Sequence, residues 1–301
     1  MNKKHAYLIM AHDNPTQLNM LLRTLDCESC DVFLHIDLKS KLTKDDINPF
    51  RVGKIYIFKE ISIFWADYTQ VECELFLLEK ALQNFSYSYY HLLSGADVLL
   101  KSPRAICNLL TGDEIYLHFA TQENVFETYN YVALYHFFQR QLCIVNRGKK
   151  ISLFKVINKI SLLLQKNIVN RISPKFTIKK GANWFSIPHD VAQYVVSEKA
   201  FIKKQFSMTR SPDEFFMQSL LYNSDFRSRL YHFCEDDDYT SCLRLIDWKR
   251  GTPYVYRLDD LELIEASDMF FARKFDWNID SEIIKKLQEN LLNEEIMLGS
   301  K

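Results

Sequence analysis

Glycine is scarce in this chain: there are seven among 301 residues. None forms a G-x-G-x-x-G or a P-loop pattern, so no glycine-rich loop is available to wrap phosphates in backbone N–H groups. Any phosphate held here must be held by side chains. Cysteines number seven, show no framework spacing and follow no secretory signal, which reads as free thiols in a reducing compartment. Cys27 and Cys30 form one C-x-x-C, but no second pair stands at zinc-ribbon spacing. Long hydrophobic runs are missing too. The stretch after Met1–His5 stays apolar for six residues, too short for a signal core or a membrane span. Neither sign of charge is in excess, with 38 Lys or Arg against 38 Asp or Glu, and so overall charge does not suggest nucleic acid. The histidines show no H-x-x-x-H spacing and no G-x-S-x-G occurs, which argues against a zinc site and against that class of hydrolase.

Apolar and aromatic residues are plentiful. At 48% hydrophobic and 14% aromatic, the chain can bury a large core and does not read as disordered. "AYLIMA" (6–11), "DVFLHID" (31–37), "KIYIF" (54–58), "YYHLLS" (89–94) and "EIYLHFA" (114–120) read as strands. "TQLNMLLRTL" and "ADYTQVECELFLLEKAL" carry leucines at helical spacing between them. Continuous apolar strands separated by helices predict an α/β domain, a mostly parallel sheet covered on both faces. Ligands bind such sheets at the carboxyl ends of the strands. His12, Asp13, Asp37 and Ser94-Gly95-Ala96-Asp97 stand there.

Residues 147–180 differ from the rest, with ten Lys or Arg and no Asp or Glu. The remainder carries 28 basic and 38 acidic residues, a balance of −10. Ile151, Phe154, Ile157 and Leu164 interleave with Lys155, Lys159 and Lys166. Such a basic amphipathic stretch reads as a membrane-surface helix, a clamp for an anionic ligand, or a solvated helix packed by its apolar face. Farther on, "GANWFSIP" (181–188) and "LRLIDW" (243–248) read as strands, and a helix closes the chain from about Asn278 to Met297.

Three clusters could carry chemistry. "CEDDDYT" (234–240) holds a D-x-D, Asp236 and Asp238, of the type that bridges Mg²⁺ to a diphosphate, though acidic loop runs are usually only solvated. "TRSPDEFFMQSLLY" (209–222) places Asp213-Glu214 behind a proline. Ser211 followed three residues later by Glu214 is capping-box spacing, so a helix starting at Ser211 is expected whether or not the pair is chemical. "FFARKFDWNID" (270–280) embeds Arg273 and Lys274 among aromatic residues, where cations are seldom placed without a partner. A diphosphate or a buried carboxylate would serve as that partner.

Taken in order, "YLIMAHDNPTQLNMLLRTL", "FLHIDLKS", "SIFWADYTQVECELFLLEKAL", "YYHLLSGADVLLKS", "GANWFSIP", "SPDEFFMQSLL" and "FFARKFD" resemble the core-2/I-branching β-1,6-N-acetylglucosaminyltransferase family, which has peptide xylosyltransferase relatives. The resemblance runs from about residue 5 to residue 277 and leaves 121–180 largely unmatched. It implies a GT-A-type fold over the whole chain, with 147–180 as a basic insertion. It also implies metal-independent, inverting transfer of a sugar, N-acetylglucosamine or xylose, from a UDP-sugar to a glycan hydroxyl. By motif, Glu214 matches the general base, Lys274 the cation facing the leaving diphosphate, and Asp37 the position facing uridine. His12 is grouped with the donor side, and Trp184, Asp97 and Asp213 with the acceptor side. The second, arginine contact to the diphosphate has no clear match, and Arg257, Arg250 and Arg273 are the candidates. No cofactor is expected beyond the UDP-sugar co-substrate. The resemblance is to a bacterial-style member, cytoplasmic and peripheral to the inner face of a membrane. The competing readings are a non-catalytic carbohydrate- or nucleotide-binding module and a peripheral membrane interaction protein.

Overall fold

The computed structural model describes residues 4–145, 153–166, 168–235 and 239–299. Four strands, β1 (His5–Ala11), β2 (Cys30–Ile36), β3 (Lys54–Phe58) and β4 (Tyr89–Ser94), pair in parallel in the order β3-β2-β1-β4. Helices α1 (Pro15–Thr24) and α2 (Thr69–Asn84) lie between them in sequence. After β4 come β5 (Val98–Leu99), α3 (Pro103–Leu109), β6 (Tyr116–Leu117), α4 (Gln122–Ala133), α5 (Gln139–Val145) and α6 (Leu153–Gln165). The segment expected as a strand over 114–120 thus contracts to two residues. β7 (Phe185–Pro188) runs antiparallel between β4 and β6 and completes a six-stranded sheet.

Then follow α7 (His189–Ser197), α8 (Lys199–Phe206), α9 (Phe216–Tyr222), β8 (Arg244–Ile246), α10 (Leu261–Glu265), β9 (Phe271–Arg273) and α11 (Ser281–Gly299). β5, β9 and β8 form a second, three-stranded sheet.

Alternate residues of the central strands feed two cores, as the two-residue period of a strand requires. Ala6, Leu8, Phe33, Tyr90 and Leu92 pack with Val71, Leu75 and Leu78 of α2 and with Val191 and Val195 of α7. Tyr7, Ile9, Val32, Leu34 and Leu93 pack with Leu18, Leu21 and Leu22 of α1. Burial on both faces is why these strands read as unbroken apolar runs. The mostly parallel α/β sheet expected from the sequence is the sheet observed. A third cluster joins Val98, Ala272 and Phe275 to Ile283, Ile284 and Leu287 of α11, so the small sheet is fixed over the carboxyl end of β4.

Candidate active site

The floor of the site is the turn after β4. Asp97 folds back so that its Oδ2 accepts the Ser94 N–H at 2.6 Å, while Oδ1 faces a guanidinium nitrogen of Arg273 at 3.2 Å. Phe275 donates its N–H to the Ala96 carbonyl at 3.0 Å. Gln17 of α1 completes the clamp, donating to the Phe275 carbonyl at 3.0 Å and accepting from the Trp277 N–H at 2.8 Å. Phe271, Ala272 and Phe275 are fully buried, and their burial carries the two cations between them to the rim. The Arg273 guanidinium lies 4.0 Å from the centre of the Trp184 ring, within cation–π range. Lys274 is half-buried, and its ammonium makes no ion pair or side-chain hydrogen bond with any described residue. The structure therefore divides the two adjacent cations: Arg273 has a carboxylate and a ring, and Lys274 is left for something else.

Behind Arg273 stands Arg244, an interaction that sequence reasoning missed. It is 2% exposed and donates to the carbonyls of Cys242, Leu92 and Phe185 at 2.6, 3.1 and 3.2 Å. Burial lowers its pKa to about 10, with Asp97 acting in the opposite direction, so it remains a cation at neutral pH. It ties the ends of β4 and β7 to the small sheet. The pattern "LRLIDW" signalled a strand; nothing in it distinguished an inward arginine from an outward one.

The donor-side candidates do not all converge. Asp37 accepts the N–H groups of Lys39 at 3.0 Å and Ile63 at 3.2 Å, and pairs with the Lys39 ammonium at 2.8 Å. Burial alone would raise its pKa, but these donors hold it below the usual carboxylate range. His12 is largely exposed and lies 3.4 Å from Asp13. Arg257 is exposed at the start of a short 3₁₀ turn and lies near Asp280. Arg250 is paired with Asp247 and Asp260.

The carboxylate side departs from the expected helix start. Ser211 adopts a left-handed conformation with φ of 49° and makes no capping bond through its side chain. Pro212–Glu214 is a single 3₁₀ turn, and α9 begins only at Phe216. No capping box forms: the Ser211 side chain makes no bond to the turn that follows it. Here the Ser211 N–H is instead bound to the Ala66 carbonyl at 3.0 Å, and Ala66 is itself left-handed at φ 59°. Two strained turns thus brace each other beneath Asp213 and Glu214.

The two carboxyls have unlike surroundings. Asp213 is buried; Oδ2 accepts from Gln70 at 3.1 Å and Oδ1 has no partner. Burial, followed by the neighbouring Glu214 charge, pushes its pKa up to about 7. Glu214 keeps 39% of its side chain exposed and lies 3.5 Å from the Lys180 ammonium. Burial raises it as well, opposed by Lys180 and Arg210. Glu74 of α2 lies fully buried behind them, and its carboxyl is raised well above the ordinary value by burial and then by Asp213. Both carboxyls are raised by burial, and Glu214 is the one with cations, Lys180 and Arg210, opposing the rise.

One strip joins the two sides. Lys180 contacts Glu214 and bonds Asn124 at 2.8 Å. The Gly181 N–H donates to the Glu214 carbonyl at 2.9 Å. Asn183 favours the ionised form of Glu74, and Trp184 lies under Arg273. Asp236 and Asp238, the candidate cation ligands, lie outside the described residues. Among the described residues no group of three or more His, Cys, Asp or Glu converges as a cation site.

Acid–base groups and cations gathered at the carboxyl edge of an α/β sheet stand where such sheets bind their ligands. Residues 5–270 match the model of the Core-2/I-Branching enzyme family. The chain belongs to that family of glycosyltransferases. It is 26% identical over 133 residues to "Xylosyltransferase sqv-6" of Caenorhabditis briggsae, a stretch covering 38% of this chain and 17% of that one. The chain therefore matches under a fifth of that relative's length. Among solved structures, the apo form of the glycosyltransferase GlyE of Streptococcus pneumoniae TIGR4 aligns at TM-score 0.43 and 10% identity, over 99% of this chain and 64% of GlyE. Mouse xyloside xylosyltransferase 1, also in its apo form, aligns at TM-score 0.37 and 10% identity, over 90% of this chain and 97% of its own.

Proposed function

We propose that this chain transfers a sugar, N-acetylglucosamine in the first instance, from a UDP-sugar to a glycan hydroxyl with inversion and without a divalent metal. The observation that carries the reading is the strip 180–184, which sets Lys180 against Glu214 and Trp184 against Arg273. It brings a base and a cation to opposite ends of one short segment, the arrangement a single displacement needs. Glu214 takes the proton of the acceptor hydroxyl as its oxygen attacks the anomeric carbon. The bond to the diphosphate breaks on the opposite face of the sugar. Lys274, without an ion-pair partner among the described residues, meets the charge that develops there, and Arg273 is assigned as its helper in place of the outward Arg257.

Asp97 and Asp37 act in this scheme by holding Arg273 and Lys39, and His12 lies at the open donor end. Asp213, buried beside Glu214 and held by Gln70, supports it from behind. Trp184, expected at the acceptor side, is instead buried beneath Arg273 and positions that guanidinium. The partial likeness to a xylosyltransferase makes xylose the second donor to try.

The test is a panel of UDP-sugars incubated with the full chain. Free UDP is measured with and without chelator, and the anomeric configuration of the product is read by NMR. Release of UDP from one donor and a β-linked product are expected. Nucleotide binding without UDP release from any donor would instead assign the chain as a non-catalytic binding module.

A further inference from the structure

Helix α6 is built inside out. A surface helix normally turns its apolar stripe to the core and its polar face to water. Here Leu153, Ile160, Leu163 and Leu164 are 72, 52, 62 and 68% exposed. The side turned to the protein carries Gln165, with Lys155, Asn158, Ser161 and Leu162 half-buried beside it. Gln165 accepts the Tyr135 N–H at 2.7 Å and donates to the Tyr135 carbonyl at 3.1 Å. Arg171 then fastens the following chain through the carbonyls of Val132, Leu134 and Gln205. The helix is therefore held by polar contacts at its end and by a ring contact, Phe138 on Phe154 at 5.9 Å, while the rest of its apolar arc is left open. Phe137, 52% exposed and stacked 5.7 Å from Tyr135, extends that arc.

We propose that α6 lies in the plane of an anionic lipid bilayer and seats the enzyme there. Lys159 and Lys166 are exposed on the flank of the arc, and no Asp or Glu occurs between Glu127 and Asp190. An apolar face edged by lysines and lacking acids complements acyl chains under anionic headgroups. A second copy of the chain fits less well, because a twofold contact would bring the same lysines against each other. With 13 residues α6 is too short to cross a bilayer.

The lipid-facing helix is also tied to the base. In α5, which packs on α6, Arg140 Nε lies 3.2 Å from Asp67 Oδ1, and Asp67 follows the Ala66 whose carbonyl binds Ser211. Resting on the proposed transfer reaction, the inference places the acceptor-facing side next to the bilayer, where an acceptor glycan on a lipid would be presented.

The full chain is to be co-sedimented with vesicles of phosphatidylcholine alone and with added phosphatidylglycerol, at low and high salt. Parent protein should pellet with the anionic vesicles and be released by salt. Lys159→Glu with Lys166→Glu should lower partitioning about tenfold or more, and Leu163→Glu with Leu164→Glu should abolish it at either salt concentration. All of these are outward-facing positions, so UDP release to a water-soluble acceptor should stay at the parental rate. Equal binding to both vesicles, or none to either, overturns the proposal. So does a dimer in sedimentation velocity that the double leucine variant dissolves, since the face would then belong to a second copy. Vesicle binding without any UDP release would reject the transfer reading and leave the lipid seat standing.

Discussion

In the proposed reaction the neighbours Asp213 and Glu214 have different tasks, because Asp213 is buried while Glu214 keeps an exposed edge beside Lys180. Glu214→Gln removes the proton acceptor without touching a helix cap, because no cap exists. Transfer should fall roughly 10²–10⁴-fold, with UDP-sugar affinity retained and the melting temperature unchanged or slightly raised, since the Asp213–Glu214 repulsion is also removed. A near-parental rate in this variant would move the base elsewhere. Asp213 makes a pH prediction. Its folded pKa of about 7 lies above its unfolded value, so the folded state binds the extra proton. The stability this provides is complete below the unfolded pKa and is lost as pH rises through about 7. Denaturant midpoints of the parent should therefore decline across that window, by at most about 1.4 kcal/mol per pH unit from this one group. In Asp213→Asn that component of the slope should vanish. An identical pH profile in both proteins would mean that Asp213 is ionised throughout. Lys274 makes no ion pair with a described residue, so Lys274→Ala should leave stability within about 0.5 kcal/mol. It should cut turnover roughly 10²–10³-fold, measured as kcat beside the Kd for UDP.

Gly181 governs the element that joins base and cation. A Cβ there would overlap the His118 carbonyl oxygen and crowd the Gln218 amide, and both are backed by β6 and α9. Gly181→Ala must therefore shift the strip, at a cost of about 1–3 kcal/mol for overpacking. Activity should fall beyond what the lost stability explains, because Lys180 and Trp184 move together; a variant destabilised yet fully active would show that the strip does not set the geometry. Strip, strands and helices were unequally legible in the sequence. β1 to β4 and α1 and α2 were readable because both cores demand unbroken apolar strands and periodic leucines. Ser211 was misread because S-P-D-E satisfies a local rule, while the winning contact is the long-range bond to Ala66. Lys180 and Arg244 were invisible for a related reason. One looked like a member of a basic run and the other like a strand residue, and only the packing of distant segments turns each toward a carboxylate or a carbonyl.

At the scale of the whole molecule, charge is segregated although the total is zero. Along the chain, the ten Lys or Arg of 147–180 are set against a remainder with a balance of −10, and Lys179 and Lys180 reach back to Glu235 and Glu214. In such a body the proposed UDP-sugar donor, itself anionic, needs locally placed cations, and the carboxyl edge of the sheet presents Arg273 and Lys274, while Arg244 is engaged with backbone carbonyls behind them. The proposed metal independence follows from that placement. If these cations meet the diphosphate's charge, no ion need bridge it, and excess EDTA should leave the rate of UDP release unchanged, with added Mg²⁺ or Mn²⁺ giving no gain. Asp236→Ala combined with Asp238→Ala should behave like the parent in the same assay. Raising ionic strength should weaken donor binding moderately, because partly buried cations are screened less than exposed ones. Loss of turnover on chelation, restored by a divalent ion and mirrored by the double aspartate variant, would give the diphosphate to a metal held by Asp236 and Asp238. Lys274 would then be its companion and not its replacement, and Lys274→Ala assayed at saturating metal would retain most of the parental rate.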